Sequence, residues 1–293
     1  MSGSTVDRLT SLAHLDRAGT DTFAAPPSGD PGRMFGGEVA ARALAAAQCT
    51  VAPDRAVHVV QAGYLRPGDP SAPMRLRVER LRDGRAFSMR RVDVEQRDKL
   101  IFTATLSFHV GSTAFDHHDR MPRVRPPEEL ADLAAWTGGL SYWPDWVVGD
   151  PALDLRPVPF DGVGFNGVEF NGVGGSVDGG GVRALWCRAA GPVPDDPALH
   201  ACLAMYVSDL TLVASIRLPH ETSGRKTWLM TSLNHTVWFH CPFRIDEWHL
   251  VVQRSSRAAD GRGLAHGQVF TRNGVLVSSL AQEGLASHIP DDK

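Results

Sequence analysis

The sequence predicts an α+β fold written twice along one chain, and three observations carry that prediction. Helical segments are each followed by runs of alternating or apolar residues bounded by turn signals, the pattern of a helix laid on an antiparallel sheet. The order of those segments recurs at an offset of about 175 positions. The length, 293 residues, suits two units of about 110–150 residues each.

Taken in order, Val6–Leu15 reads as a short helical start and Thr20–Gly32 as a Pro/Gly-rich loop. Gly36-Gly37 opens an Ala-rich helix over Glu38–Ala47. Strands follow at Val57–Leu65, Met74–Arg82, Phe87–Gln96 and Leu100–His109, with turns at Pro67-Gly68-Asp69, Asp83-Gly84 and Arg97-Asp98. Pro122–Trp136 reads as a helix entered from a Pro-rich turn. The second copy places strands at Leu153–Phe160 and Val182–Ala189 and a helix at Pro197–Val213. Its later strands are Thr227–His240, Trp248–Arg257, Leu264–Thr271 and Leu276–Gly284. The duplication shows in matched segments: Tyr64-Leu65-Arg66-Pro67 with Phe239-His240-Cys241-Pro242, and Asp83-Gly84-Arg85 with Asp260-Gly261-Arg262. The expected organisation is an N-terminal unit at 1–112, a linker with a helix at 113–149, and a C-terminal unit at 150–293.

Composition removes several function classes. Lys and Arg number 30 against 33 Asp and Glu, a net charge of −3 with no basic block. A nucleic-acid partner is therefore not expected, because such binding rests largely on neutralised phosphates. No secretory leader and no apolar run of bilayer length are read from the chain, so no membrane association is expected. Cys49, Cys187, Cys202 and Cys241 lie far apart with no CxxC, as free thiols of a reducing, cytoplasmic location would.

Some motifs mislead. Gly162-Val163-Gly164-Phe165-Asn166-Gly167 matches GxGxxG after a strand, but a dinucleotide site also needs a helix to open there. The stretch Asp161–Gly181 holds nine glycines and reads instead as an excursion between two strands. Asp116-His117-His118-Asp119 reads as a solvated linker, and His235 and His240 face opposite sides of one strand. No metal site is expected from either.

The residues that could carry chemistry lie in the second copy. Asp209 shares a helical face with Cys202, Met205 and Tyr206, and a carboxylate on so apolar a stripe must be hydrogen-bonded if it is buried. Ser232 lies on a strand face with Asn234, Thr236, Trp238 and His240. Gln282 ends the last strand, and its counterpart in the first copy is Ser107. That asymmetry points to one working site per duplicated chain.

The sequence resembles the type II acyl-CoA thioesterases, the TesB-like double-hotdog family. The resemblance is carried by Phe35-Gly36-Gly37-Glu38-Val39-Ala40, Tyr64-Leu65-Arg66-Pro67-Gly68-Asp69 and Leu81-Arg82-Asp83-Gly84-Arg85 in the first half. In the second half it is carried by Ser208-Asp209, Trp238-Phe239-His240 and Gln282-Glu283-Gly284. The resemblance implies a double-hotdog fold, an acyl-CoA substrate and no cofactor. It further implies a water oriented by Asp209, Ser232 and Gln282, with Thr231 as the neighbouring alternative to Ser232. Gly36 and Gly37 would either present backbone N–H groups to the substrate or allow close helix–sheet packing. Members of the family commonly carry His at Gln61, Asp at Asn234 and Arg at Cys241, differences expected to bear on acyl preference or rate. A homodimer or higher homo-oligomer is compatible with this fold. Two rivals remain open at this level: an acyl-CoA-binding protein without turnover, and an enoyl-CoA hydratase, for which His200 stands a poor 2.5 turns from Asp209.

Overall fold

In the computed structural model, residues 6–28, 34–113, 115–135, 147, 150–159, 161–165, 168–171, 176–177, 180–223 and 228–288 are described. Along the chain, the short helix α1 (Asp7–Thr10) precedes β1 (Asp16–Gly19), β2 (Thr22–Ala25) and helix α2 (Gly36–Gln48). A meander follows: β3 (Ala56–Tyr64), β4 (Met74–Asp83), β5 (Phe87–Gln96) and β6 (Lys99–His109). The next strands are β7 (Leu153–Val158), β8 (Asp161–Phe165), β9 (Val168–Asn171), β10 (Ser176–Val177) and β11 (Gly180–Ala189). Helix α3 (Pro197–Ser208) and a 3-10 segment (Val213–Ser223) then lead into β12 (Trp228–Phe239), β13 (His249–Ala259), β14 (Arg262–Thr271) and β15 (Leu276–His288).

The repeat is visible in the pairing. The first copy orders its strands β4-β5-β6-β3, all antiparallel, and the second β13-β14-β15-β12, with β13–β14 and β14–β15 antiparallel. Each copy has one hairpin closed by two left-handed residues, though not between equivalent strands. Asp260 and Gly261 take positive φ values of 52° and 71° between β13 and β14, and Arg97 and Asp98 take 48° and 59° between β5 and β6. Such paired left-handed residues match the twist of a two-residue hairpin.

Two compact units are built from interleaved segments. One comprises residues 1–116, 193–209 and 233–244; the other comprises 117–192, 210–232 and 245–293. In the first, α2 lies across β3–β6 and against α3. Ala40, Ala41, Ala43, Ala46 and Ala47 are at most 1% exposed, since small side chains let this helix touch both sheet and helix. The inward face of β5 carries Ser88, Arg90, Val92, Val94 and Gln96. Arg90 is buried there because its donors are met by Thr50 Oγ1 and O, Asp83 Oδ1, and the carbonyls of Arg82 and Met89. Helix α3 starts cleanly: Asp196 Oδ1 accepts from Ala198 N at 2.9 Å, and Pro197 occupies the first turn.

In the second unit, Val158, Val182, Ala184, Trp186, Trp248, Leu250, Val252 and Phe270 form the core. The 3-10 segment closes over it. A side chain at Gly263 or Gly284 would run into Ile216 and Val213, so these two strand glycines let the segment sit directly on the sheet backbone.

The elements differ from expectation where proline and tertiary packing overrode local pattern. The helix expected at Pro122–Trp136 is an irregular chain with a single 3-10 turn at Pro127–Glu129; Trp136 itself is outside the described residues. Pro122, Pro126 and Pro127 each lack the N–H a helix needs. The helix expected to reach Val213 ends at Ser208, with Asp209 as its C-cap rather than a helix-interior residue. The range expected as a loop, Thr20–Gly32, contains the turn and second strand of the β1–β2 hairpin, with Asp21 at φ 54°; residues 29–32 lie outside the described residues. Strand β15 runs on to His288, so Gln282 is central in it and not at its end. The described parts of the Gly-rich excursion are short strands, with β8 paired to β9; Asn166 and Gly167 of the GxGxxG match lie outside the described residues. One stretch, Pro197–His220, is long and apolar enough to cross a membrane, which the sequence reading did not expect. Of its most apolar window, 83% is buried within the protein, as in a core helix.

Candidate active site

Asp209 is held at the C-terminal end of α3, and its residue is 3% exposed. Beside it in the same unit stand the first residue of α2 and the last residue of β3. A Cβ at Gly36 would lie 2.8 Å from Asp209 Oδ2, 2.8 Å from Tyr64 Cε1 and 3.2 Å from Tyr64 Cζ. Carboxylate, phenol ring and helix start thus converge on one point, and only glycine leaves that point open. Gly37 serves differently: a Cβ there would meet the Tyr206 carbonyl at 2.6 Å and the Phe35 ring at 2.5 Å. Close packing of α2 on the end of α3 therefore accounts for Gly37. The approach of a carboxylate accounts for Gly36.

The residue before Asp209 is anchored from β12. Ser208 Oγ donates to the Met205 carbonyl at 2.8 Å and lies 2.8 Å from His235 Nε2, with His235 wholly buried. The serine proton is used on the carbonyl, so His235 is read as the donor to Oγ. Tyr64 stacks edge-on to Phe102 at 5.2 Å, and its hydroxyl is buried. Burial, and secondly the Asp209 charge, push that phenol well above its ordinary range, so it stays protonated.

Ser232 and Gln282 come together in the second unit. Gln282 Nε2 donates to Ser232 Oγ at 2.9 Å, and Gln282 is 0% exposed. With its oxygen accepting from the amide, Ser232 can direct its own proton away from Gln282. Thr231 is the strand neighbour of Ser232 and points to the opposite face. The chain passes between the two units directly after Asp209 and again directly after Ser232.

The remaining candidates do not converge. His200 is buried at the far end of α3, about 13 Å along the helix from Asp209. Gln61 and Asn234 are exposed on the paired strands β3 and β12, and Cys241 is half-buried beyond the end of β12. Burial raises all four thiols, Cys187 to about 12, so none is poised as a nucleophile. A cavity of about 350 Å³ in the second unit is lined by Leu133, Leu153, Asp154, Arg156 and Arg188 and includes none of the candidate residues. From sequence, His235 stands only as a rejected metal ligand and Tyr64 only within a matched motif, neither with a role at this site. Their roles depend on contacts with residues far along the chain, for which no local periodicity exists.

A buried carboxylate set against a helix start, on helix-and-sheet units repeated in one chain, defines a hydrolase of the double-hotdog class. Two family models match, "Acyl-CoA thioesterase" over residues 169–285 and "Acyl-CoA thioesterase N-terminal domain" over residues 24–109. Acyl-coenzyme A thioesterase 8 of Rattus norvegicus is 36% identical over 264 residues, covering 88% of this chain and 81% of the relative. The crystal structure of acyl-CoA thioesterase II TesB2 from Mycobacterium marinum superposes with a TM-score of 0.80 at 33% identity, covering 96% of this chain and 98% of that one. A hot dog fold protein from Alicyclobacillus acidocaldarius shares the fold at a TM-score of 0.73 and 18% identity, covering 99% and 100%. The chain belongs to the type II acyl-CoA thioesterase family, and it is a thioester hydrolase.

Proposed function

We propose that the chain hydrolyses acyl-CoA to the free acid and CoA through one water oriented by Asp209, Ser232 and Gln282. Asp209 takes a proton from the water as its oxygen bonds to the thioester carbonyl carbon. The tetrahedral adduct collapses with cleavage of the carbon–sulfur bond, and the CoA thiolate leaves with the proton Asp209 returns. Ser232 and Gln282 fix the water by hydrogen bonds, so that little orientation is left to chance at the moment of attack. The observation that best supports this reading is the buried Asp209 carboxylate, approached by Gly36 so closely that no larger residue fits between them.

The test is thiol release from acyl-CoAs of graded chain length, read with a thiol-reactive dye. Asp209→Ala is expected to lower kcat by about 10²–10⁴-fold, the range of a positioned general base. Full activity in Asp209→Ala would overturn the assignment. Acyl-CoA binding without thiol release would instead favour the non-catalytic binding protein, and loss of enoyl-CoA without thiol would favour the hydratase.

A further inference from the structure

We propose that Tyr64 is a further catalytic residue, its phenolic O–H donating a hydrogen bond to the thioester carbonyl oxygen as that oxygen gains negative charge. This rests on the Asp209 reading above and adds to it a residue that the Asp, Ser and Gln set does not include. Three observations carry it. The Tyr64 hydroxyl is buried, yet it makes no hydrogen bond to a described protein group. Native proteins rarely leave a buried hydroxyl so, since an unmatched polar group destabilises the fold unless it serves another purpose. The ring carrying the hydroxyl is fixed rather than loose: Tyr64 pairs with Phe102 across the β3–β6 ladder and meets its ring at 5.2 Å. The ring also stands with Asp209 Oδ2 around the open point beside Gly36. A thioester carbon attacked by a water at Asp209 would therefore carry its carbonyl oxygen near the phenol.

The chemistry is balanced without moving the phenol proton. Water gives its proton to Asp209, the carbonyl π electrons shift onto oxygen, and Tyr64 only hydrogen-bonds that oxygen. When the carbon–sulfur bond breaks, those electrons re-form the carbonyl and the hydrogen bond relaxes. A donor held ready in a water-poor site, with no reorganisation needed, is the arrangement that favours the transition state over bound substrate. The raised phenol pKa suits this role, because a phenolate there could not donate.

The experiment compares wild type, Tyr64→Phe and Asp209→Ala, using the acyl-CoA turned over fastest and following thiol release and thermal unfolding. Tyr64→Phe keeps the ring and removes only the hydroxyl. The expected result is kcat lowered by about 10- to 10²-fold, toward the lower end of what one oxyanion donor contributes, with KM changed less than about 3-fold. Tm is expected to be unchanged or higher, because a buried unmatched hydroxyl has been removed. Unchanged kcat would overturn the proposal. A fall in Tm together with kcat would also overturn it, by showing the hydroxyl to be structural. If Asp209→Ala is inactive while Tyr64→Phe is fully active, only the Tyr64 role fails. An active Asp209→Ala variant removes the Asp209 assignment and this one with it.

Discussion

Gly36 and Gly37 are adjacent, yet they are glycine for different reasons, and substitution should separate them. A methyl group at Gly37 meets backbone, the Tyr206 carbonyl, which cannot move without shifting α3. Gly37→Ala is expected to destabilise by about 1–3 kcal/mol through overpacking, measured by urea unfolding. A methyl group at Gly36 meets two side chains, the Asp209 carboxylate and the Tyr64 ring, rather than backbone. Gly36→Ala is expected to lose less stability and more activity, with kcat reduced at least about 10-fold. If Gly36→Ala keeps full kcat, the open point between Gly36 and Asp209 is not where the reaction occurs. Arg90 makes a second residue-scale case. Its guanidinium serves Thr50, Asp83, Arg82 and Met89 at once, and Lys has neither the fork nor the number of donors. Arg90→Lys should therefore lower unfolding free energy by about 2–3 kcal/mol rather than rescue the site. Asp83 is held below its ordinary 3.8 by Ser88 first and Arg90 second, so its contribution is complete above that value and lost as pH falls through the depressed one. Acid unfolding curves of Arg90→Lys should be shallower in that window than those of wild type.

At the scale of elements, the legible parts were those whose signal is local. Strands β5 and β6 alternate with period two over most of their length, and β5 was read to its end residues. The turn at Asp260-Gly261 needs only its own two residues to declare itself. What could not be read depended on a partner element. The end of α3 at Ser208 is apolar on both sides of the break, so hydrophobic pattern continues where the helix stops. The 3-10 segment that follows is shaped by the sheet beneath it, and Gly263 and Gly284 are the points of closest approach. Interior strand glycines are the local trace of such contact. The dependence is testable. Gly284→Ala places a methyl group against Val213, with Ile216 Cδ1 at 3.3 Å and the Thr231 carbonyl at 3.4 Å. It is expected to destabilise by about 1–3 kcal/mol and to raise hydrogen exchange in residues 213–220 before β14. Unchanged exchange there would show that the segment does not rely on the bare glycine backbone.

For the whole molecule, duplication supplies two copies of the four-strand meander but not two copies of the chemistry. Where β15 and β12 of the second copy join Gln282 to Ser232 at 2.9 Å, β6 and β3 of the first join Ser107 to His58 at 2.8 Å. Corresponding strand pairs are bridged in both copies, but by different residue types and not at fully equivalent positions, since His58 lines up with Leu233 rather than Ser232. Burial, and secondly His109, hold His58 below its ordinary range, so it is neutral near pH 7 and stands among Phe87 and His109 rings at 5.7 and 6.3 Å. A neutral imidazole bonded to a serine at the first copy's position has no carboxylate described beside it to form a second hydrolytic set. The candidate site was thus half legible in sequence. Asp209, Ser232 and Gln282 stood out through motif order, whereas Tyr64 and His235 required the approach of distant segments. If one copy alone works, the two halves must respond unequally to matched substitutions. Gln282→Ala should lower kcat by about 10²-fold, as loss of a preorganised hydrogen bond in the reacting site does. Ser107→Ala should leave kcat within about 2-fold, because truncating a surface-layer hydrogen bond away from the reaction changes little beyond stability. Thiol-release kinetics on both variants decide the matter, and equal losses would mean that both copies turn over substrate.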